Sequence, residues 1–98
     1  MNDSQQNTIS TIQYTIVDYF IENFKQIRKQ IVHDLSLNAD TVRSNTHLFE
    51  LDHVLDISYK GFSNGGGHLY LHTNQGVFAF VIAKDPSDFM QAYKRLKS

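Results

Sequence analysis

Five histidines, at positions 33, 47, 53, 68 and 72, are the residues of this chain best suited to chemistry, as metal ligands or as proton carriers near neutral pH. His68 and His72 stand four apart, the spacing that brings two imidazoles to one metal ion on a helix. They lie, however, in GHLYLHT, where Leu69 and Leu71 alternate with polar residues as in a half-buried strand. On a strand the two rings share one face but sit about 13 Å apart, too far for one ion without a sharp bend. The remaining histidines follow no zinc spacing. No serine occupies a nucleophile elbow, and the carboxylates read as turn, cap or surface residues, so nothing in the spacing supports a hydrolase or a transferase.

Two other clusters invite a ligand. Three consecutive glycines in GFSNGGGHLYLHT suggest a phosphate cradle, but such a loop must open a helix, and here it opens a strand. The Lys-Ser/Thr ending and the GxGxxG spacing are also missing. Asn64, Gly65, Gly66, Gly67 and His68 therefore read as a hairpin connection whose function, if it has one, is to touch a partner. On a helix Lys25, Arg28 and Lys29 fall on one side and could meet an anionic surface, although the solvated face of an amphipathic helix explains them better. Three charges at roughly 1 kcal/mol each support peripheral membrane contact at most.

The 98 residues are enough for one domain with its own core, and seven Phe and five Tyr help to supply it. Nine Lys and Arg against ten Asp and Glu leave no bulk positive charge for nucleic acid. The chain has no cysteine, which removes disulfides and thiolate sites. Without a signal-peptide pattern or a long apolar run, a soluble cytoplasmic protein is expected.

The elements that would position these residues are mostly strands. Met1 to Thr8 reads as a disordered tail ahead of a single domain over 9–98. Ile9 to Val32 carries two periods. Ile12, Ile16, Phe20, Phe24, Ile27 and Ile31 recur at helical steps, whereas TIQYTIV alternates and is β-branched. A single helix over the whole stretch would be too long for a compact domain, which favours a short strand at Ser10 to Tyr14 and a helix from Ile16 to Val32. HDLSL and TVRSN flank a turn at Asn38, Ala39 and Asp40. HVLDISYK should bury Leu55, Ile57 and Tyr59. A three-residue turn, NQG, leads to VFAFVIA, which is apolar on both faces and expected to be covered on both. Asp85 as cap and Pro86 in the first turn start a closing helix that buries Phe89, Ala92, Tyr93 and Leu96.

From Leu35 to Leu96 these parts together resemble the bacterial pleckstrin-homology-like (PH-like) domains. The matching parts are the hairpin Leu35 to Arg43, the stretch Phe49 to Ile57, the alternating pair Leu69 to Ile82, and the DPSDF helix from Asp85 to Leu96. The resemblance implies an α+β fold: a strongly bent antiparallel sheet or partly open barrel with a C-terminal capping helix. The helix over Ile16 to Val32 would be an addition, because the family begins with strands. It further implies a non-catalytic module without cofactors that binds a protein, a peptide or a membrane surface. A second reading is a structural protein forming homo-oligomers through the apolar stripe Ile16, Phe20, Phe24, Ile27 and Ile31.

Overall fold

The β-branched residues crowding Ile9 to Val32 decide the first element. In the computed structural model, which describes residues 8–98, they form a hairpin of two 13-residue strands, β1 (Ser10–Glu22) and β2 (Lys25–Leu37). The register runs without a break from Ser10 opposite Leu37 to Glu22 opposite Lys25. The expected helix over Ile16 to Val32 is thus a pair of strands. Its apolar residues recur at four-residue steps, close to one helical turn but also two full strand repeats, so the same positions line one face of either element. Val, Ile and Thr at five of the seven places from Thr11 to Val17 settle the choice. The disordered tail expected over Met1 to Thr8 lies outside the described residues except at Thr8.

After this hairpin come β3 (Thr41–Arg43), β4 (Leu48–Glu50), one turn of 3-10 helix at Leu51–His53, β5 (Val54–Gly61), β6 (Gly67–Thr73) and β7 (Gly76–Ile82). All pair antiparallel in one sheet of order β4-β3-β2-β1-β7-β6-β5, which stays open because the edge strands β4 and β5 do not pair. With α1 (Ser87–Lys97), the single α-helix among the described residues, the class is α+β.

The sheet curls on itself. Phe49 on β4 and Phe78 on β7 stand four strands apart, about 19 Å on a flat sheet, yet their ring centroids are 4.9 Å from one another. One apolar cluster fills the concavity, drawing Ile12, Tyr14, Leu35 and Leu37 from the first hairpin and Ile57, Leu69, Leu71 and Ile82 from the last three strands. Tyr14 meets Phe80 edge to face at 4.8 Å, joining the two halves at their shared strand. Its hydroxyl donates to Asn45 Oδ1 at 2.7 Å and accepts the Asn45 amide at 2.9 Å, which ties the β3–β4 loop to β1.

Helix α1 lies against β1 and reaches the start of β5. Phe89, Ala92 and Tyr93 are buried, the Tyr93 hydroxyl donates to the Val54 carbonyl at 2.9 Å, and Lys97 Nζ donates to the Leu51 carbonyl at 3.0 Å. Burial pushes the Tyr93 pKa up, with the Asp56 charge adding to the shift. The helix starts two residues after Asp85, whose Oδ1 accepts from both the amide and the hydroxyl of Ser87 at 3.0 and 2.6 Å. Asp85 is therefore a cap acting from just outside the helix. The Ser87 bonds hold its carboxyl below the ordinary range. No helix among the described residues is long and apolar enough to cross a membrane.

Tyr59, expected to be buried with Ile57, is 37% exposed near the end of β5, and three further local expectations change. The register of β5 shifts between Val54 and Asp56, so Val54 is buried while Leu55 turns outward, 63% exposed. Thr73 pairs with Gly76, leaving two residues rather than three in the turn. Strand β7 is central in the order, but only Phe78, Phe80 and Ile82 face the core; Val77 and Val81 are exposed.

Leu71→Ala should lower the unfolding free energy by about 2–5 kcal/mol, as deleting a fully buried leucine does, whereas Leu55→Ala should stay within about 0.5 kcal/mol; urea denaturation distinguishes them. The lowered Asp85 pKa stabilises the fold above the ordinary carboxylate pKa, and that contribution is lost as pH falls through the folded-state value. Asp85→Asn should therefore reduce stability at neutral pH and flatten its decline in acid, read as the urea midpoint against pH.

Candidate functional site

Half of the first hairpin has nothing to pack against. Strand β1 meets β7 only at Thr15 opposite Val81, and β2 meets β3 only at Ser36 and Leu37. Beyond Ile16 and Ile31 the two strands leave the body as an arm, Val17 to Gln30, roughly 20 Å long at 3.3 Å per residue. The radius of gyration reflects it, 15.2 Å against about 13 Å for a compact domain of 100 residues. Both lateral edges of the arm carry unpaired backbone donors and acceptors.

The arm is apolar where a solvated hairpin would be polar. Tyr19, Phe20, Ile21 and Phe24 are 59, 43, 71 and 103% exposed. At about 200 Å² for a fully exposed large side chain, they present roughly 500 Å² of apolar surface to water. Spread over both faces and the tip of the arm, that sum is comparable to the largest single patch on a typical monomer, about 300–600 Å². Its inner face alternates an apolar row, Phe20 opposite Ile27, with charged rows, Asp18 opposite Lys29 and Glu22 opposite Lys25. Its outer face sets Val17, Tyr19 and Ile21 beside Gln30, Arg28 and Gln26.

The turn itself is costly. Asn23 and Phe24 have φ of 52° and 63°, a left-handed pair suited to a two-residue hairpin turn. Asn is at home there, but a bulky residue in this region is strained by roughly 1–2 kcal/mol, and glycine is the usual occupant. Phe24 recovers nothing by packing, because it is fully exposed.

The basic residues sit on this arm and not on a helix. Strand alternation sends Arg28 to the outer face and Lys25 and Lys29 to the inner one, so the single-sided cluster expected from the sequence is split. Both lysines stand opposite a carboxylate.

The glycine loop is placed between β5 and β6. The Phe62 amide donates to the Gly66 carbonyl at 2.8 Å, the Gly65 amide donates to the Phe62 carbonyl at 3.3 Å, and the Tyr59 hydroxyl donates to the Gly66 carbonyl at 3.0 Å. Gly65 and Gly66 have φ of 100° and 70°, and a Cβ on Gly67 would meet the Lys60 carbonyl oxygen at 2.4 Å. The backbone thus accounts for the glycines. His68 packs edge to face on Phe62 at 5.0 Å, and His68, Tyr70 and His72 line one face of β6, with His72 Nε2 2.8 Å from Ser58 Oγ. Among the described residues no three His, Asp or Glu side chains are grouped to hold a metal ion.

A cavity of about 240 Å³ opens at the foot of the arm, in the notch where β1 and β7 separate. Ile16, Phe78 and Phe80 give it an apolar floor, and Asn45, Thr46 and His47 form one wall. His47 stacks on Phe49 at 5.5 Å and also touches Phe78. Sequence reasoning singled out Phe20, Phe24 and Ile27 as a self-association stripe and Lys25, Arg28 and Lys29 as a surface cluster, but on a helix, and so reached neither the hairpin form of the arm nor this notch. The signal for the arm was present, in the opposed charges of Asp18 and Lys29 and of Glu22 and Lys25 about a centre at Asn23 and Phe24, but it is readable only once a hairpin register is assumed.

Phe24→Gly should leave the folding stability of the dilute protein unchanged or raise it by up to about 1 kcal/mol, because relief of the left-handed strain offsets the added chain entropy. A loss above about 1 kcal/mol in thermal or urea unfolding would show that Phe24 supports the fold of its own chain.

Comparison with protein-family models, with curated proteins and with solved structures finds no match for this chain.

Proposed function

We propose that this protein is a non-catalytic interaction module of the PH-like kind, that it works in the cytoplasm, which a cysteine-free chain suits, and that it contacts a protein partner through the arm Val17 to Gln30. The sheet order β4-β3-β2-β1-β7-β6-β5 and the helix laid from β1 to β5 support the architectural half of the reading. The arm supports the functional half. An isolated two-stranded hairpin is marginal in water, and this one exposes three aromatic rings instead of shielding its edges.

One observation carries the reading. Phe24 combines a strained backbone with complete exposure, a pairing that costs the free monomer and is useful only where the ring is buried by something else. A protein surface suits the arm better than a membrane, because the inner-face lysines each oppose a carboxylate and Arg28 alone faces outward.

A photo-activatable benzoylphenylalanine in place of Phe24 tests this in the cells that express the protein. It should give discrete protein adducts, whereas the same probe in place of Leu55, exposed on β5 far along the sheet order, should give none. Adducts from position 55 and none from position 24 would reject the arm as the contact element.

A further inference from the structure

The partner of the arm can be specified, on the reading that the arm is the contact element. We infer that it is a second copy of this chain, joined by antiparallel pairing of the two β1 edges with Tyr19 on the two-fold axis.

The area fits a self-association. A standard interface takes about 800 Å² from each partner, of which a little over half is apolar, so about 450 Å² of apolar surface is needed per side. The arm presents roughly that amount in Tyr19, Phe20, Ile21 and Phe24 alone.

Charge selects the edge. Strand β2 carries every base of the arm, and pairing it with itself near its middle would set Arg28 or Lys29 against the same residue of the partner subunit. Lysines along an edge are a common defence against such pairing. Strand β1 carries the apolar residues, with its two acids already opposite Lys29 and Lys25 within the arm.

Geometry selects the register. Opposed residues of antiparallel strands share a face, so a two-fold axis normal to the sheet must pass through one residue and its copy. Centring on Asp18 opposes two carboxylates, and centring on Phe20 sets Asp18 against the partner subunit's Glu22. Centring on Val17 needs the edge of Thr15, already paired with Val81. Centring on Tyr19 opposes no like charges and confines the paired strand residues to Val17 through Ile21, so that only the turn reaches as far as Thr15. It places Val17 against the partner subunit's Ile21 and Tyr19 against the partner subunit's Tyr19, an unbroken apolar row on the outer face. The same register brings the turn, Asn23 and Phe24, beside the partner subunit's Thr15, at the mouth of the apolar notch floored by Ile16, Phe78 and Phe80. The strained, exposed ring of each copy thereby gains a pocket in the other.

Because the chain has no cysteine, a single introduced thiol reports the axis directly. Tyr19→Cys brings two thiols to opposed positions with Cβ atoms about 4.5–5.5 Å apart, and mild oxidation should convert most of the protein to a disulfide dimer. Gln26→Cys, on the outer face of β2, should not. Light scattering of the cysteine-free protein should show a dimer that Phe24→Gly and Tyr19→Lys each weaken about tenfold or more while circular dichroism stays unchanged. A strict monomer at high concentration overturns the inference, as does a dimer in which the two cysteine variants oxidise equally. If the chain is monomeric but the probe at position 24 captures a different protein, the arm remains the contact element and only self-pairing falls; if that probe captures nothing, both fall.

Discussion

Everything in this molecule depends on β1 serving both halves of the sheet at once. Its first half closes the core: Ile12 and Tyr14 face Leu35 and the His33 ring on one side and Phe80 on the other, and the single pairing of Thr15 with Val81 is the only ladder contact that joins the four-stranded half to the three-stranded half. Because that seam is so short, the two halves can turn sharply about it. Phe49 thereby reaches Phe78, and one apolar cluster suffices for seven strands. A longer β1–β7 ladder would hold the sheet flatter and leave the cluster open.

The same seam creates the arm. Once β1 and β7 part beyond the Thr15–Val81 pair, the second half of β1 has only β2 for company, and the hairpin continues into solvent with both edges free. The body supplies what the arm lacks, a notch with an apolar floor where the strands part. Curl, arm and notch are therefore consequences of one early separation of two strands. The helix closes the structure through two bonds to backbone carbonyls at the opposite edge, Tyr93 to Val54 and Lys97 to Leu51, which fasten it beside the 3-10 turn.

The histidines and glycines that dominate the sequence as chemical candidates are absorbed by architecture. His68 and His72 flank Tyr70 along one strand face, His47 stacks on Phe49, and the glycine run makes a tight β5–β6 connection in which two positions, Gly66 and Gly67, leave no room for a Cβ. The residues without such an account are apolar ones on the arm, Tyr19, Ile21 and Phe24.

Local rules were enough wherever a pattern had one interpretation. The alternation of Leu69 and Leu71 with His68, Tyr70 and His72, the Asn38 to Asp40 turn, and the Asp85-Pro86 helix start were all legible, because strand period, turn chemistry and capping act within a few residues. Positions shared by two periods were not. Ile12, Ile16, Phe20, Ile27 and Ile31 satisfy helix and strand alike, and the argument from compactness pointed to the wrong one because it presumed that every element lies against the core. Only the tertiary structure decided that β1 and β2 continue past the sheet, that Leu55 turns outward at a shifted register, and that the outer face of β7 stays uncovered. These outcomes depend on which strands meet and where they part, and residues far apart in the chain fix both.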